Sequence, residues 1–146
     1  MRIKAIEAVI MREHRSNAVS RRLATIPGIG TITASAITGT IADPLTFKSG
    51  RELAAWIGLV PRQHSSGGEH KMGRVSKQGD RYLGATAVMR RLTGKTDGLS
   101  LWVRALLDRR PFRLVSLALA NKMARIAWAI MVGPEAYRAS AMTAAA

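Results

Sequence analysis

Hydrophobic positions recur at helical spacing from the first residues of the chain. Ile3, Ile6 and Ile10 follow one another every three or four residues, with charged residues between them. This period is typical of an amphipathic helix. It predicts helix over residues 1–24, forming either the end of a longer helix or part of a coiled coil, with a break near Asn17.

The same period predicts further helices, and turn residues mark where they begin and end. Ser49 with Glu52 three residues later predicts a capping box, and Gly133 ends the most apolar of the helices. Turns are predicted at Ile26–Gly30 and at Asp43-Pro44, and a linker at Gly94–Gly98. The predicted helices are Thr31–Thr40, Gly50–Ile57, a helix from Ser76 to about Leu92, Leu99–Asp108 and Phe112–Val132.

Residues 59–75 have a different character, because Gly67, Gly68 and Gly73 disfavour a regular helix there. We expect an irregular Ser/Gly loop or a short β-hairpin. The predicted fold is therefore mainly α, a compact multi-helix domain. It comprises an N-terminal connecting helix over residues 1–22, a domain over 23–138 and a disordered tail over 139–146. Three tryptophans in apolar helical contexts are predicted to lie in the core, with base stacking as the alternative: Trp56, Trp102 and Trp128.

Composition supports a helical globular domain and excludes some kinds of site. Hydrophobic residues make up 47% of the chain and aromatic residues only 5%, which favours helix–helix packing. The absence of cysteine excludes disulfides and thiolate metal sites, and the three histidines form no zinc pattern. We expect no metal site in this chain, no membrane partner and a cytoplasmic location, because Leu114–Ala120 is too short to span a bilayer.

Charge gives the first indication of a partner. Lysine and arginine number 23 against 9 acidic residues, which gives a net charge of +14. Repulsion on this scale destabilises the compact state unless a polyanion relieves it. The basic residues are spread along the whole chain, so nucleic acid is the predicted partner. The alternative is an arginine-rich protein without a polyanionic partner.

The predicted turn at Pro27-Gly28-Ile29-Gly30 is a candidate phosphate contact. Its glycines permit a sharp turn and a close backbone approach, and the amides of the following helix suit an anion. The stretch is similar to the turn of helix-hairpin-helix motifs, which contact the DNA backbone without reading sequence. The alternative is an ordinary turn between helices.

The segment around Ser65-Ser66-Gly67-Gly68 offers exposed hydroxyls as candidate nucleophiles. A serine nucleophile that attacks a phosphate needs activation and nearby positive charge. His64 or His70 could accept the proton, and the residue types leave this choice open. The positive charge would come from Arg62, Lys71 and Arg74. The alternative is a plain loop without chemistry.

Further basic residues extend this candidate surface along two predicted helices. Lys77 and Arg81 lie one turn apart on the first helix, and Lys122 and Arg125 lie on the last one. If they contact phosphates, binding should weaken steeply with salt. The alternative is a solvated helix face. The acidic residues are scattered in the sequence and do not resemble a two-metal site.

The order of these motifs resembles one family, the C-terminal serine-bearing domain of "IS one-ten" insertion-sequence transposases. The resemblance covers residues 23–137 and is specific as a combination. It is carried by Ile26-Pro27-Gly28-Ile29-Gly30, by Phe47-Lys48-Ser49-Gly50-Arg51-Glu52-Leu53-Ala54-Ala55-Trp56-Ile57-Gly58-Leu59-Val60-Pro61-Arg62-Gln63, by Ser65-Ser66-Gly67-Gly68, by Ser76-Lys77-Gln78-Gly79-Asp80-Arg81-Tyr82-Leu83 and by Ala118-Leu119-Ala120-Asn121-Lys122-Met123-Ala124-Arg125-Ile126-Ala127-Trp128.

The resemblance implies insertion-sequence DNA transposition through a serine nucleophile that attaches to a DNA phosphate. Counting back from Gly73 and Ser76 favours Ser65, whereas the Ser-Gly pairing favours Ser66. It also implies an element-encoded guide RNA, homo-oligomers and a DEDD, RuvC-like N-terminal domain that binds divalent metal (Mg²⁺). No such acidic pattern precedes Leu23, so we expect a truncated or split transposase. The alternative is a non-catalytic helix-hairpin-helix-type nucleic-acid-binding module.

Overall fold

A computed structural model describes residues 2–59, 63–66, 69–72 and 97–138. Two short strands, β1 (Gln63–Ser66) and β2 (Glu69–Met72), pair antiparallel where the sequence indicates a loop or a short hairpin. The described part is mainly α-helical, which confirms the predicted fold class. Its helices are α1 (Arg2–Ser16), α2 (Ala18–Leu23), α3 (Thr31–Thr40), α4 (Gly50–Trp56), α5 (Gly98–Leu107) and α6 (Phe112–Val132), with a 3-10 turn at Pro44–Thr46.

The longest helix, α6, forms the centre of the core. It packs most extensively on α4 and also contacts α2, α5 and the 3-10 turn. By length and composition α6 is apolar enough to cross a membrane. However, its buried residues follow one another at helical spacing and face these elements, as expected for a core helix. They are Val115, Leu119, Ala120, Met123, Ala124, Ala127, Ile130 and Met131.

The N-terminal helical region is broken where the sequence predicts a break. Asn17 is the N-cap of α2, and its side-chain oxygen accepts a hydrogen bond from the Ser20 amide at 3.0 Å. His14 at the end of α1 is hydrogen-bonded through Nδ1 to the buried Ser20 hydroxyl at 2.7 Å. Asparagine therefore begins a second helix here, because its side chain satisfies an amide that has no helical partner. The predicted domain boundary between residues 22 and 23 lies inside α2.

The apolar side chains at the start of α1 remain exposed. Ile3, Ile6 and Val9 are all more than half exposed, although they repeat at helical spacing. The inner side of α1 contacts α2 and α3 further along the chain. The exposed residues therefore form an apolar stripe that has no cover from the described residues.

The start of α4 resembles the predicted capping box, with one difference. Ser49 Oγ accepts from the Glu52 amide at 3.3 Å, as predicted. The Glu52 carboxylate accepts from the Lys48 amide at 2.6 Å, one residue before the N-cap. Gly58, with φ of 84°, follows the helix in the left-handed conformation that glycine adopts without strain. This helix therefore has well-defined ends on both sides.

One predicted boundary was wrong. Gly98 is the first residue of α5 and not the end of a linker, because Asp97 takes the N-cap position in extended conformation. Asp97 Oδ1 accepts a hydrogen bond from the Ser100 hydroxyl at 2.5 Å, which ties the cap to the first turn. The helix predicted from Ser76 to Leu92 and the tail 139–146 lie outside the described residues.

The segment after α6 is tied to α2. Arg22 Nη2 donates to the Gly133 carbonyl oxygen at 3.3 Å and to that of Ile130 at 3.5 Å. The Tyr137 amide donates to the Thr25 hydroxyl oxygen at 2.9 Å. Burial, and then the negative charge of Asp97, raise the pKa of the Tyr137 phenol above its ordinary value of 10.0. The Arg22 guanidinium lies at the carboxyl end of α6, where a positive charge interacts favourably with the helix dipole.

Candidate nucleic-acid interface

The glycine turn before α3 has the geometry of an open helix N-terminus. Gly28 has φ of 88°, a conformation that glycine adopts without a steric penalty. Gly30 is the N-cap of α3 and has no side chain to satisfy the first amides of the helix. A Cβ added at Gly30 would meet no atom within 4 Å, so an anion has room to approach. The predicted positions Gly28 and Gly30 thus suit a phosphate contact sterically, and the first turn carries no acidic residue.

The two predicted basic residues of α6 have different environments. Lys122 is half-buried, and its ammonium lies 4.7 Å from the centroid of the Trp102 ring. A cation over an aromatic face at this distance is held by the ring quadrupole. Arg125 is exposed, and its backbone abuts Gly50 at the start of α4. Of the two, Arg125 is therefore the better placed for a phosphate, while Lys122 joins α6 to α5.

The strand pair places each candidate nucleophile opposite a residue that can accept a proton. Ser65 pairs with His70, and Ser66 pairs with Glu69. Residues directly opposite each other in an antiparallel ladder share one face of the strand pair. Lys71 pairs with His64 at the next position. Among the described elements, the two strands pack extensively only on each other.

Trp56 does not lie in the core, so that prediction was wrong. Its side chain is 58% exposed, whereas Trp102 and Trp128 are half-buried against the core. The reason is the helical period of α4, which buries Leu53, Ala54 and Ile57 on one face. Trp56 lies away from that face. The Trp128 indole N–H donates to the Pro44 carbonyl oxygen at 3.1 Å, which fixes the 3-10 turn on α6.

An open groove lies between the 3-10 turn and α4, and we call it the aromatic groove. The Phe47 and Trp56 rings form one wall, with centroids 5.4 Å apart and planes tilted by 56°. Asp43 and Glu52 supply its carboxylates, and Thr46 is a further lining residue. The cavity measures about 650 Å³, within the range of small-molecule sites. The sequence prediction missed this groove, although the spacing of Leu53 and Ile57 places Trp56 outside the buried face.

The remaining predicted residues lie outside the described part of the chain. They are Arg62, Arg74, Lys77 and Arg81. Over residues 2–59, 63–66, 69–72 and 97–138, no three histidine or acidic side chains come together in a way that could hold a metal ion.

Comparisons with known proteins identify one family and several relatives to which this chain is similar. Residues 20–93 match the model of the transposase IS116/IS110/IS902 family. The chain is 47% identical over 143 residues to a "probable family 20 transposase" of Pseudomonas aeruginosa, covering 94% of this chain and 42% of the relative. It is 41% identical to the "transposase for insertion sequence element IS1111A" of Coxiella burnetii, covering 87% of this chain and 36% of that protein.

A more distant relative is named for DNA inversion. The "pilin gene-inverting protein" of Moraxella lacunata is 29% identical over 114 residues, covering 75% of this chain and 35% of the relative. The chain thus spans about two fifths or less of the length of these three relatives. The matched region of the family model includes the glycine turn, α4 and both serines.

Proposed function

Because the chain belongs to the transposase IS116/IS110/IS902 family, we propose that it is the serine-bearing, DNA-binding part of an enzyme that recombines insertion-sequence DNA. The match over residues 20–93 is the observation that carries this proposal. The net charge of +14 supports it, since a recombinase must hold a polyanion. The names of the relatives, which include transposases and a gene-inverting protein, point to the same class of reaction.

The proposed chemistry is attack by a serine hydroxyl on a DNA phosphodiester. The bond from serine Oγ to phosphorus forms as the bond from phosphorus to one sugar oxygen breaks. The hydroxyl proton passes to an acceptor on the protein, and the departing sugar oxygen takes up a proton. The register supports His70 as the acceptor for Ser65 and Glu69 as the acceptor for Ser66, because each stands at the paired position. We propose Ser65 as the nucleophile and hold Ser66 as its close alternative.

The metal site and the guide RNA of the proposed reaction come from partners of this chain. We propose that a RuvC-like acidic domain, in the same or in a separate chain, supplies a Mg²⁺ site. The described residues of this chain do not fit such a site, because no three acidic or histidine side chains converge in them. We also propose that the working complex is a homo-oligomer with an element-encoded guide RNA. The basic surface of this chain would hold both nucleic acids.

The test compares Ser65→Ala and Ser66→Ala in this chain, co-expressed with the acidic domain of a full-length relative. Donor excision and a denaturant-resistant protein–DNA adduct are measured. We expect one variant to abolish both signals and the other to retain them. Ser116→Ala is the control, since this α6 hydroxyl donates to the Phe112 carbonyl oxygen of its own helix. If both serine variants still form the adduct, the proposed nucleophile is wrong.

A second candidate function is a non-catalytic nucleic-acid-binding module. The open N-terminus of α3 at Gly30 favours it, because backbone amides can hold a phosphate without any chemistry. Such a module would bind DNA in a salt-dependent way and would be unaffected by either serine substitution. Loss of the adduct in one serine variant excludes this candidate.

A further inference from the structure

The aromatic groove is not used by the reaction proposed above. Trp56 remains 58% exposed, although an indole is one of the largest apolar surfaces that a side chain can bury. The Phe47 ring packs against it, with the two ring centroids 5.4 Å apart. An exposed aromatic face of this kind suits a ligand that is itself flat and aromatic.

Two exposed carboxylates line the groove, and two exposed basic residues are the sequence neighbours of its lining residues Phe47 and Glu52. Asp43 Oδ1 accepts from the Leu45 amide at 2.9 Å, and Glu52 Oε2 accepts from the Lys48 amide. These bonds fix both carboxylates in place, and each keeps a second oxygen that can accept. Lys48 and Arg51 are exposed at the start of α4, where the exposed Arg125 also lies against Gly50.

These charges decide which part of a nucleic acid the groove can take. The carboxylates that line the groove disfavour a phosphate inside it, whereas the basic residues next to its lining in the sequence favour a phosphate outside it. A nucleobase is neutral, stacks on an indole and offers exocyclic amino groups to carboxylates. Proteins that bind single strands combine these same two elements, a stacking aromatic side chain and a positively charged track.

We propose that the aromatic groove binds one unpaired nucleobase of a DNA strand, stacked on Trp56, with the neighbouring phosphates on Lys48 and Arg51. The amino-bearing bases cytosine, adenine and guanine fit Asp43 and Glu52 better than thymine does, since thymine has no exocyclic amino group. This inference rests on the proposed nucleic-acid binding and adds a specific site to it.

The groove also lies within reach of the strand that carries the serines. Trp56 ends α4, and β1 begins seven residues later at Gln63. A fully extended chain of that length spans at most about 25 Å. Trp56 and Ser65, nine residues apart, are therefore separated by no more than about 32 Å.

The experiment measures binding of fluorescent oligo(dC) and oligo(dT) to the full chain by anisotropy over a range of salt. We expect Trp56→Ala to weaken oligo(dC) binding by about 5- to 150-fold, the effect of losing one stacked base. Trp56→Phe should lose less, and the slope of affinity against salt should not change, because no cation is removed. Leu101→Ala is the matched control, an equally exposed apolar residue on α5 that should have no effect.

A second readout does not depend on the stability of the variants. Oligo(dC) should quench the tryptophan fluorescence of the wild-type chain but not that of Trp56→Phe, which keeps Trp102 and Trp128. Unchanged oligo(dC) affinity in Trp56→Ala overturns the inference while leaving the proposed function intact. The inference is also overturned if Trp56→Ala changes the oligomer mass of the chain but leaves its affinity for oligo(dC) unchanged, because the groove would then bind protein. If the wild-type chain binds neither oligonucleotide, the inference fails, whereas the proposed function is decided separately by the adduct assay on the two serine variants.

Discussion

Replacement of Gly50 by alanine tests the close packing of α4 on α6. A Cβ at this position would lie 2.9 Å from the Arg125 Cα and 3.2 Å from the Arg125 carbonyl oxygen. These are backbone atoms that cannot rotate away, so the two helices must separate by several tenths of an ångström. Overpacking of this kind costs roughly 1–3 kcal/mol. Because Gly50 is the first residue of α4, the helix-propensity gain from glycine to alanine offsets at most about 0.5 kcal/mol of it. We therefore expect a net destabilisation of about 0.5–3 kcal/mol.

The measurement is urea unfolding of the chain followed by circular dichroism, with Gly39→Ala as the control. Gly39 lies in α3, and a Cβ there would meet nothing within 4 Å. The same chemical change should then stabilise the fold by up to about 1 kcal/mol. The two substitutions should move the free energy of unfolding in opposite directions. A shift of the same sign and size in both variants would refute the packing argument.

Two further predictions concern phosphate contacts. Arg125→Gln should reduce the slope of log affinity against log salt by about 0.9 on duplex DNA. Arg138→Gln is the control and should change this slope less, because the Arg138 guanidinium already pairs with the Glu135 carboxylate at 3.6 Å. An unchanged slope for Arg125→Gln would remove this residue from the interface. Gly30→Ala should weaken duplex binding, because its methyl group fills the open space before α3, and it should cost no more than about 1 kcal/mol of stability. Equal binding by Gly30→Ala and the wild-type chain would show that no phosphate lies there.

Local patterns were sufficient to predict most of the helices. The extent of α3 and of α6 follows from apolar spacing and from turn residues, and the break at Asn17 follows from its capping chemistry. The start of α5 was predicted less exactly. Asp97 is the N-cap of this helix, so Gly98 is its first residue, although glycine is a poor helix former.

The environment of individual side chains was harder to predict, because it depends on packing between distant segments. The apolar character of Trp56 suggested burial, but the buried face of α4 is already filled by Leu53 and Ile57. The sequence predicts Lys122 as a surface cation. Its contact with the Trp102 ring depends on the packing of α5 on α6, which local sequence patterns do not predict. The register that pairs Ser65 with His70 depends on how the two strands align, and the sequence is compatible with either a loop or a hairpin there.

The core is closed by elements from both ends of the described chain. Leu59 packs against the core just before residues 60–96, and Leu99 is buried just after them. The two serine strands lie in the sequence between these two anchored residues. Substitutions in the strands and substitutions at the anchors are therefore expected to act on different properties, the first on the chemistry of the serines and the second on the stability of the helical core.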